Sequence, residues 1–104
     1  MSVTRPNQFR QQDGHVLSDG HAQYRWDCRT RERWTGYPVR VAWREAIPVV
    51  TPKTNGIAYC RLHERSRMVL VARWGFLKTV VPLWDFTERA RERIWRQVRE
   101  ARDD

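Results

Sequence analysis

Met68-Val69-Leu70-Val71-Ala72 is the longest uninterrupted apolar run in the chain, and its reading decides the fold. A strand sends successive side chains to opposite faces, so a run that is apolar at every position predicts a strand covered on both sides. Glu64-Arg65-Ser66-Arg67 precedes it as a polar turn, and Ile57 to His63 lies on the far side of that turn. The two segments, Ile57–His63 and Met68–Trp74, read as an antiparallel hairpin with Met68–Ala72 as the central strand. After a turn at Gly75, a short last strand through Thr79-Val80-Val81 is stopped by Pro82.

Upstream, Pro48 within Ile47–Val50 marks an edge or connecting segment, and Pro52 to Asn55-Gly56 marks a turn. Val39, Val41 and Trp43 alternate with Arg40, Ala42 and Arg44, which predicts a strand. Ala22, Tyr24, Trp26 and Cys28 alternate with Gln23, Arg25, Asp27 and Arg29 in the same way. Between them, residues 30–37 form a charged loop or hairpin tip carrying Trp34 and Tyr37.

Downstream, Asp85 stands as the expected N-cap of a helix, with Glu88 in the capping-box position. Phe86, Ala90, Ile94, Val98 and Ala101 recur at helical spacing and predict the packed face, with Trp95 at its edge. The other face alternates Arg with Glu and balances its own charge. The expected architecture is therefore α+β: a small curled antiparallel sheet or open barrel of four to five strands, with one C-terminal helix packed on it. Residues 1–21 read as a polar N-terminal arm with a turn pair, Asp13-Gly14-His15 and Asp19-Gly20-His21. Residues 22–104 read as a single domain, with strands in 22–83 and the helix over 85–102. So polar an arm is ordered only where it docks, which points to a place in a larger assembly.

A chain of 104 residues with 40% hydrophobic and 31% charged content suits one globular core under a heavily charged surface. A five-residue apolar run excludes a membrane-spanning helix, which needs about twenty residues. No apolar segment follows Met1, so no secretory signal is read, and two Cys suggest free thiols in the cytoplasm.

The formal net charge is +8. The acids and bases of residues 1–21 cancel, as do those of residues 84–104, so the excess lies in residues 22–83. Such a footprint fits an anionic partner, either nucleic acid or an acidic protein surface. Its expected contacts are Arg25, Arg29, Arg31, Arg33, Arg40, Arg44, Arg65 and Arg67, with Trp34 and Tyr37 as exposed rings in the charged loop. Tyr24-Arg25-Trp26, Arg33-Trp34, Trp43-Arg44 and Arg73-Trp74 mix rings and cations in the manner of single-strand binders. Alternation assigns Trp26 and Trp43 to the core instead.

Metal and catalytic motifs are weak. Cys60 and His63 have Cys-x-x-His spacing, but positions i and i+3 of a strand face opposite ways, so with Cys28 they are not expected to form a zinc site. His15, His21, Asp13 and Asp19 sit in turns with no further ligand cluster. No phosphate loop, nucleophile elbow or His-Glu-x-x-His is present. No cofactor and no catalytic residue is assigned. The leading expectation is a non-enzymatic binding module for nucleic acid or a nucleic-acid-handling complex. The alternatives are a small structural or inhibitory protein of a phage or mobile element that docks on a protein, and a small metal-independent nuclease working with His and Arg.

Overall fold

A computed structural model describes residues 20–103. The arm and most of its turn pair, with His15, Asp13 and Asp19, lie outside the described residues. The described chain runs α1 (His21–Arg29), a 3₁₀ turn (Glu32–Trp34), α2 (Val39–Glu45), β1 (Ile47–Val49), β2 (Ala58–His63), β3 (Met68–Arg73), β4 (Phe76–Pro82), a second 3₁₀ turn (Leu83–Asp85) and α3 (Glu88–Asp103). The strands form one open antiparallel sheet in the order β1-β2-β3-β4. This is the expected α+β class.

The apolar run behaves as its composition requires. Met68, Leu70 and Ala72 enter one cluster with Ala22, Trp26, Val39, Ala42 and Trp43 of α1 and α2. Val69 and Val71 enter a second cluster with Ala90, Ile94 and Val98 of α3. The sheet is thus sandwiched between α1 and α2 on one face and α3 on the other, and β3 feeds both cores. Cys60 pairs with Val71 and Leu62 with Val69, while Arg61 pairs with Leu70 and His63 with Met68. In β4 a bulge skips Lys78, because Thr79 pairs with Val71 but Leu77 with Ala72. That extra residue lets Leu77 and Val80, three apart, share one face.

Two of the expected strands are helices. Over 22–29 only Ala22 and Trp26 are fully covered, whereas Tyr24 is 66% exposed and Cys28 is exposed. Spacings of two and four coincide at residues 22 and 26, so alternation alone could not separate strand from helix. Over 39–45 the buried set is Val39, Ala42 and Trp43, a helical i, i+3, i+4 triplet. The N-terminus of α2 is held from a distance. The Val39 N–H donates to Gln23 Oε1 at 2.9 Å, and Gln23 Nε2 donates to the Tyr37 carbonyl at 2.9 Å.

The C-terminal helix starts later than expected. Asp85 closes the 3₁₀ turn, and the Ala90 N–H donates to Thr87 Oγ1 at 3.1 Å, so Thr87 is the cap. Ala101, expected on the packed stripe, is exposed. Gln97 ties α3 to the end of β1. Its Nε2 donates to the Val50 carbonyl at 2.8 Å and its Oε1 accepts the Val50 N–H at 2.7 Å. Among the described residues, no helix is long and apolar enough to cross a membrane.

Candidate functional site

The β2–β3 turn and the loop after α1 meet at one end of the sheet. In the turn, Arg67 adopts a left-handed φ of 62° while its N–H donates to the His63 carbonyl at 2.9 Å. In the loop, the Trp26 indole N–H donates to the Trp34 carbonyl at 2.8 Å and fixes the 3₁₀ turn against the core. The Gly36 N–H donates to Asp27 Oδ1 at 2.8 Å and fixes the next bend.

His63 is packed under this junction at 2% exposure. The rings of Trp34, Tyr37 and Trp26 surround it at centroid distances of 5.3, 5.7 and 5.9 Å. Its Nε2 lies 2.8 Å from Glu45 Oε1, and its Nδ1 lies 2.7 Å from Ser66 Oγ. The Tyr37 hydroxyl donates to the same Glu45 oxygen at 2.6 Å. An ionised carboxylate only accepts, so Nε2 carries the proton in this bond. The Tyr37 hydroxyl, followed by His63, holds the Glu45 carboxyl below the usual carboxylate range, and the same bond pushes the Tyr37 phenol up. The result is a surface carboxylate, 43% exposed, fixed in its ionised form by a buried imidazole behind it.

Guanidinium groups surround this junction on aromatic supports. Arg33 and Arg65 both lie over the Trp34 ring, at 5.8 and 5.2 Å from its centroid. Beside them is a recess of about 340 Å³ lined by Arg31, Arg67, Leu83, Trp84, Arg91 and Trp95. Arg31 lies 5.2 Å from the Trp84 centroid and Arg67 lies 4.7 Å from the Trp95 centroid. Arg91 donates to the Phe86 carbonyl at 2.6 Å. Three guanidiniums therefore share a recess whose lining, among the described residues, contains no carboxylate. Each is held by a ring or a carbonyl that restricts it without neutralising it.

Of the contacts expected from sequence, Arg31, Arg33, Trp34, Tyr37, Arg65 and Arg67 come together here. Trp34 does so as a buried support, at 6% exposure, and not as the exposed ring that its charged loop suggested. Arg29 is a tether: its Nη1 donates to the Val80 carbonyl at 2.7 Å. Arg25 donates to His21 Nε2 at 3.1 Å along α1. Arg40 and Arg44 are exposed on α2, apart from the recess. Sequence reasoning missed Glu45, Trp84, Arg91 and Trp95, and weighed His63 as a zinc ligand with Cys60 and Cys28. The available signal was Arg91 and Trp95 at i, i+4 on the helix, with Trp95 off the packed stripe.

Cys60 and His63 sit on opposite faces of the sheet. Cys60 lies in the α3 core with its Sγ 3.3 Å from Thr51 Oγ1, and burial pushes its thiol up. Arg61, buried on the α2 side, donates to the Trp43 carbonyl at 2.9 Å at the C-terminal end of α2. Desolvation lowers it to about 10.

Over residues 17–84 the chain matches the family model described as "Putative RelE superfamily toxin domain". No curated protein and no solved structure matches the chain. The matched span is well over half of the chain and runs from Leu17, ahead of α1, to Trp84. It takes in the whole sheet, Glu45, His63, Arg31 and Arg67, while Arg91 and Trp95 on α3 lie beyond it. The chain belongs to the RelE-superfamily toxin-domain family.

Proposed function

We propose that this domain is a toxin that acts on RNA, held at the end of the sheet where the 31–37 loop meets the 64–67 turn. The observation that carries this reading is the recess of Arg31, Arg67 and Arg91, three guanidiniums with no carboxylate in the lining among the described residues. Guanidinium forks match phosphate oxygens bidentately, and indole supports limit the entropy lost on binding. A phosphodiester in the recess leaves the flanking nucleotides on the side of Arg33 and Arg65, which share the loop and the turn with Arg31 and Arg67.

RNA is favoured over DNA by the chemistry available. The 2′-hydroxyl of RNA is an internal nucleophile: it attacks phosphorus as a base takes its proton. The P–O5′ bond breaks, the 5′-oxygen leaves with a proton from water, and a 2′,3′-cyclic phosphate remains, while cations stabilise the charge on the nonbridging phosphate oxygens. Guanidiniums supply the cations, and we assign the role of base to Glu45, the exposed carboxylate bonded by Tyr37 and His63 and flanked by Arg65. His63 is too buried to touch substrate and acts as a positioning residue for Glu45.

The test uses the purified full chain and a labelled RNA, with and without chelator, beside induced expression in a bacterial host. Expected are RNA cleavage that survives chelation and growth arrest, both lost when Arg31 and Arg67 are replaced by Glu. Absence of binding at low salt, together with unimpaired growth, would overturn the reading.

A second reading is docking on an acidic protein such as an antitoxin. A separate groove of about 580 Å³ favours it. There Arg89, Arg93 and Arg96 of α3 face Val50, Thr51 and Pro52. The helix carries six Arg against four acids, and Arg89, Arg93 and Arg96 line one side of the groove, accompanied among the described residues by Glu100. Among the described residues the lining holds no aromatic ring, which suits a peptide better than bases.

A further inference from the structure

The β3–β4 hairpin turns through Trp74 and Gly75 alone, since Arg73 pairs directly with Phe76. Both turn residues have positive φ, 54° and 82°. Two such residues make a type I′ turn, whose first position favours Asn, Asp or Gly. A bulky side chain there is a backbone outlier. No burial offsets it, because Trp74 is 62% exposed.

The surroundings of Trp74 suit an anionic, flat ligand. Phe76 is 39% exposed, and the Lys78 ammonium lies 5.2 Å from its ring centroid. Lys78 is the bulge residue, so the irregularity that keeps Leu77 and Val80 in the core also brings this cation to the tip. Arg73 is exposed beside the turn. No Asp or Glu occurs between Arg67 and Trp84. The tip lies at the opposite end of β3 from Arg67, about 20 Å away at the rise of a six-residue strand.

We propose that Trp74 is a second contact for single-stranded RNA, its indole stacking on a base while Arg73 and Lys78 meet the flanking phosphates. The inference rests on the RNA reading above and extends the bound strand across the sheet. Stacking of this kind accepts any base, because every base has a π-face.

The experiment measures anisotropy of labelled 2′-O-methyl RNA, which resists cleavage, with oligonucleotides of about four and about twenty nucleotides. Trp74→Asn suits the turn, so its melting midpoint should equal or exceed that of wild type. Its affinity for the long oligonucleotide should fall roughly 5- to 100-fold while the short one is unaffected. Replacing Arg73 and Lys78 by Glu should reproduce the loss. Wild-type binding that Trp74→Asn leaves unchanged would overturn this proposal alone. Failure of wild type to bind either length would overturn the RNA reading and this contact with it. Loss of a co-purifying protein with RNA affinity intact would assign the tip to a protein partner and equally overturn the proposal.

Discussion

His63 Nε2 and Glu45 Oε1 are 2.8 Å apart although eighteen residues separate them in sequence. The bond joins the end of β2 to the end of α2, beneath the loop that carries Trp34 and Tyr37. The candidate site is therefore built on two covering helices and a strand terminus, with the loop clamped over them.

The Glu45 bonds make stability depend on acid. The carboxyl titrates lower in the folded chain than its ordinary value of about 4.3, so its contribution is present above that pH and is lost as pH falls through the folded value. Denaturation curves measured between pH 3 and about pH 6 should show this loss in wild type. Glu45→Gln should flatten that part of the profile. An unchanged profile in the variant would mean that Glu45 is no better bonded in the fold than in the open chain.

Charge reversal should separate recess from tether. Glu at both Arg31 and Arg67 should abolish RNA binding at moderate salt with a smaller loss of melting than Arg29→Glu, since each guanidinium rests on an indole, Trp84 or Trp95, instead of a β4 carbonyl. Arg29→Glu should instead lower stability, because it removes the bond to the Val80 carbonyl and places an acid against it. Each phosphate contact removed should reduce the logarithmic salt slope by about 0.7 for a single strand. Equal loss of binding in Arg29→Glu, with melting unchanged, would move the interface onto α1.

Leu70 is fully buried beneath α1 and α2 at the centre of β3. Leu70→Ala should cost about 2–5 kcal/mol, read from urea midpoints at constant slope. A shift corresponding to under ~1 kcal/mol would show that this face of the sheet collapses around the missing side chain.

The two thiols should differ in reactivity. Cys28 is exposed on α1, whereas Cys60 is buried and its thiol is pushed up by desolvation. A maleimide should label one site per folded chain, and Cys28→Ser should abolish that signal. Label on Cys60 under native conditions would reveal opening of the α3 core.

The sheet was legible because its strands carry their own punctuation. Met68–Ala72 is apolar on both parities, Gly75 and Pro82 bracket β4, and Pro48 marks the edge strand. The helices α1 and α2 were hidden because each is under three turns long, too short for a spacing of four to be told from a spacing of two. The N-terminus of α2 is also held by the distant Gln23, which no local pattern announces. At the site, the charged loop and the turn were visible as sources of Arg. Their convergence on Trp84 and Trp95 depends on how α3 crosses the sheet, and the partnership of Glu45 with His63 depends on α2 being helical.

Pro48, Gln97 and Arg29 guard the two borders of the sheet. Pro48 offers no N–H at the centre of β1, and Gln97 already occupies both backbone groups of Val50 just beyond it. That margin is closed to template-driven extension by three residues and one amide. On the β4 side, Arg29 of α1 already takes the Val80 carbonyl. Among the described residues, side chains from α1 and α3 thus occupy backbone groups at both borders of the sheet, which opposes assembly by strand addition and propagation as a fibre.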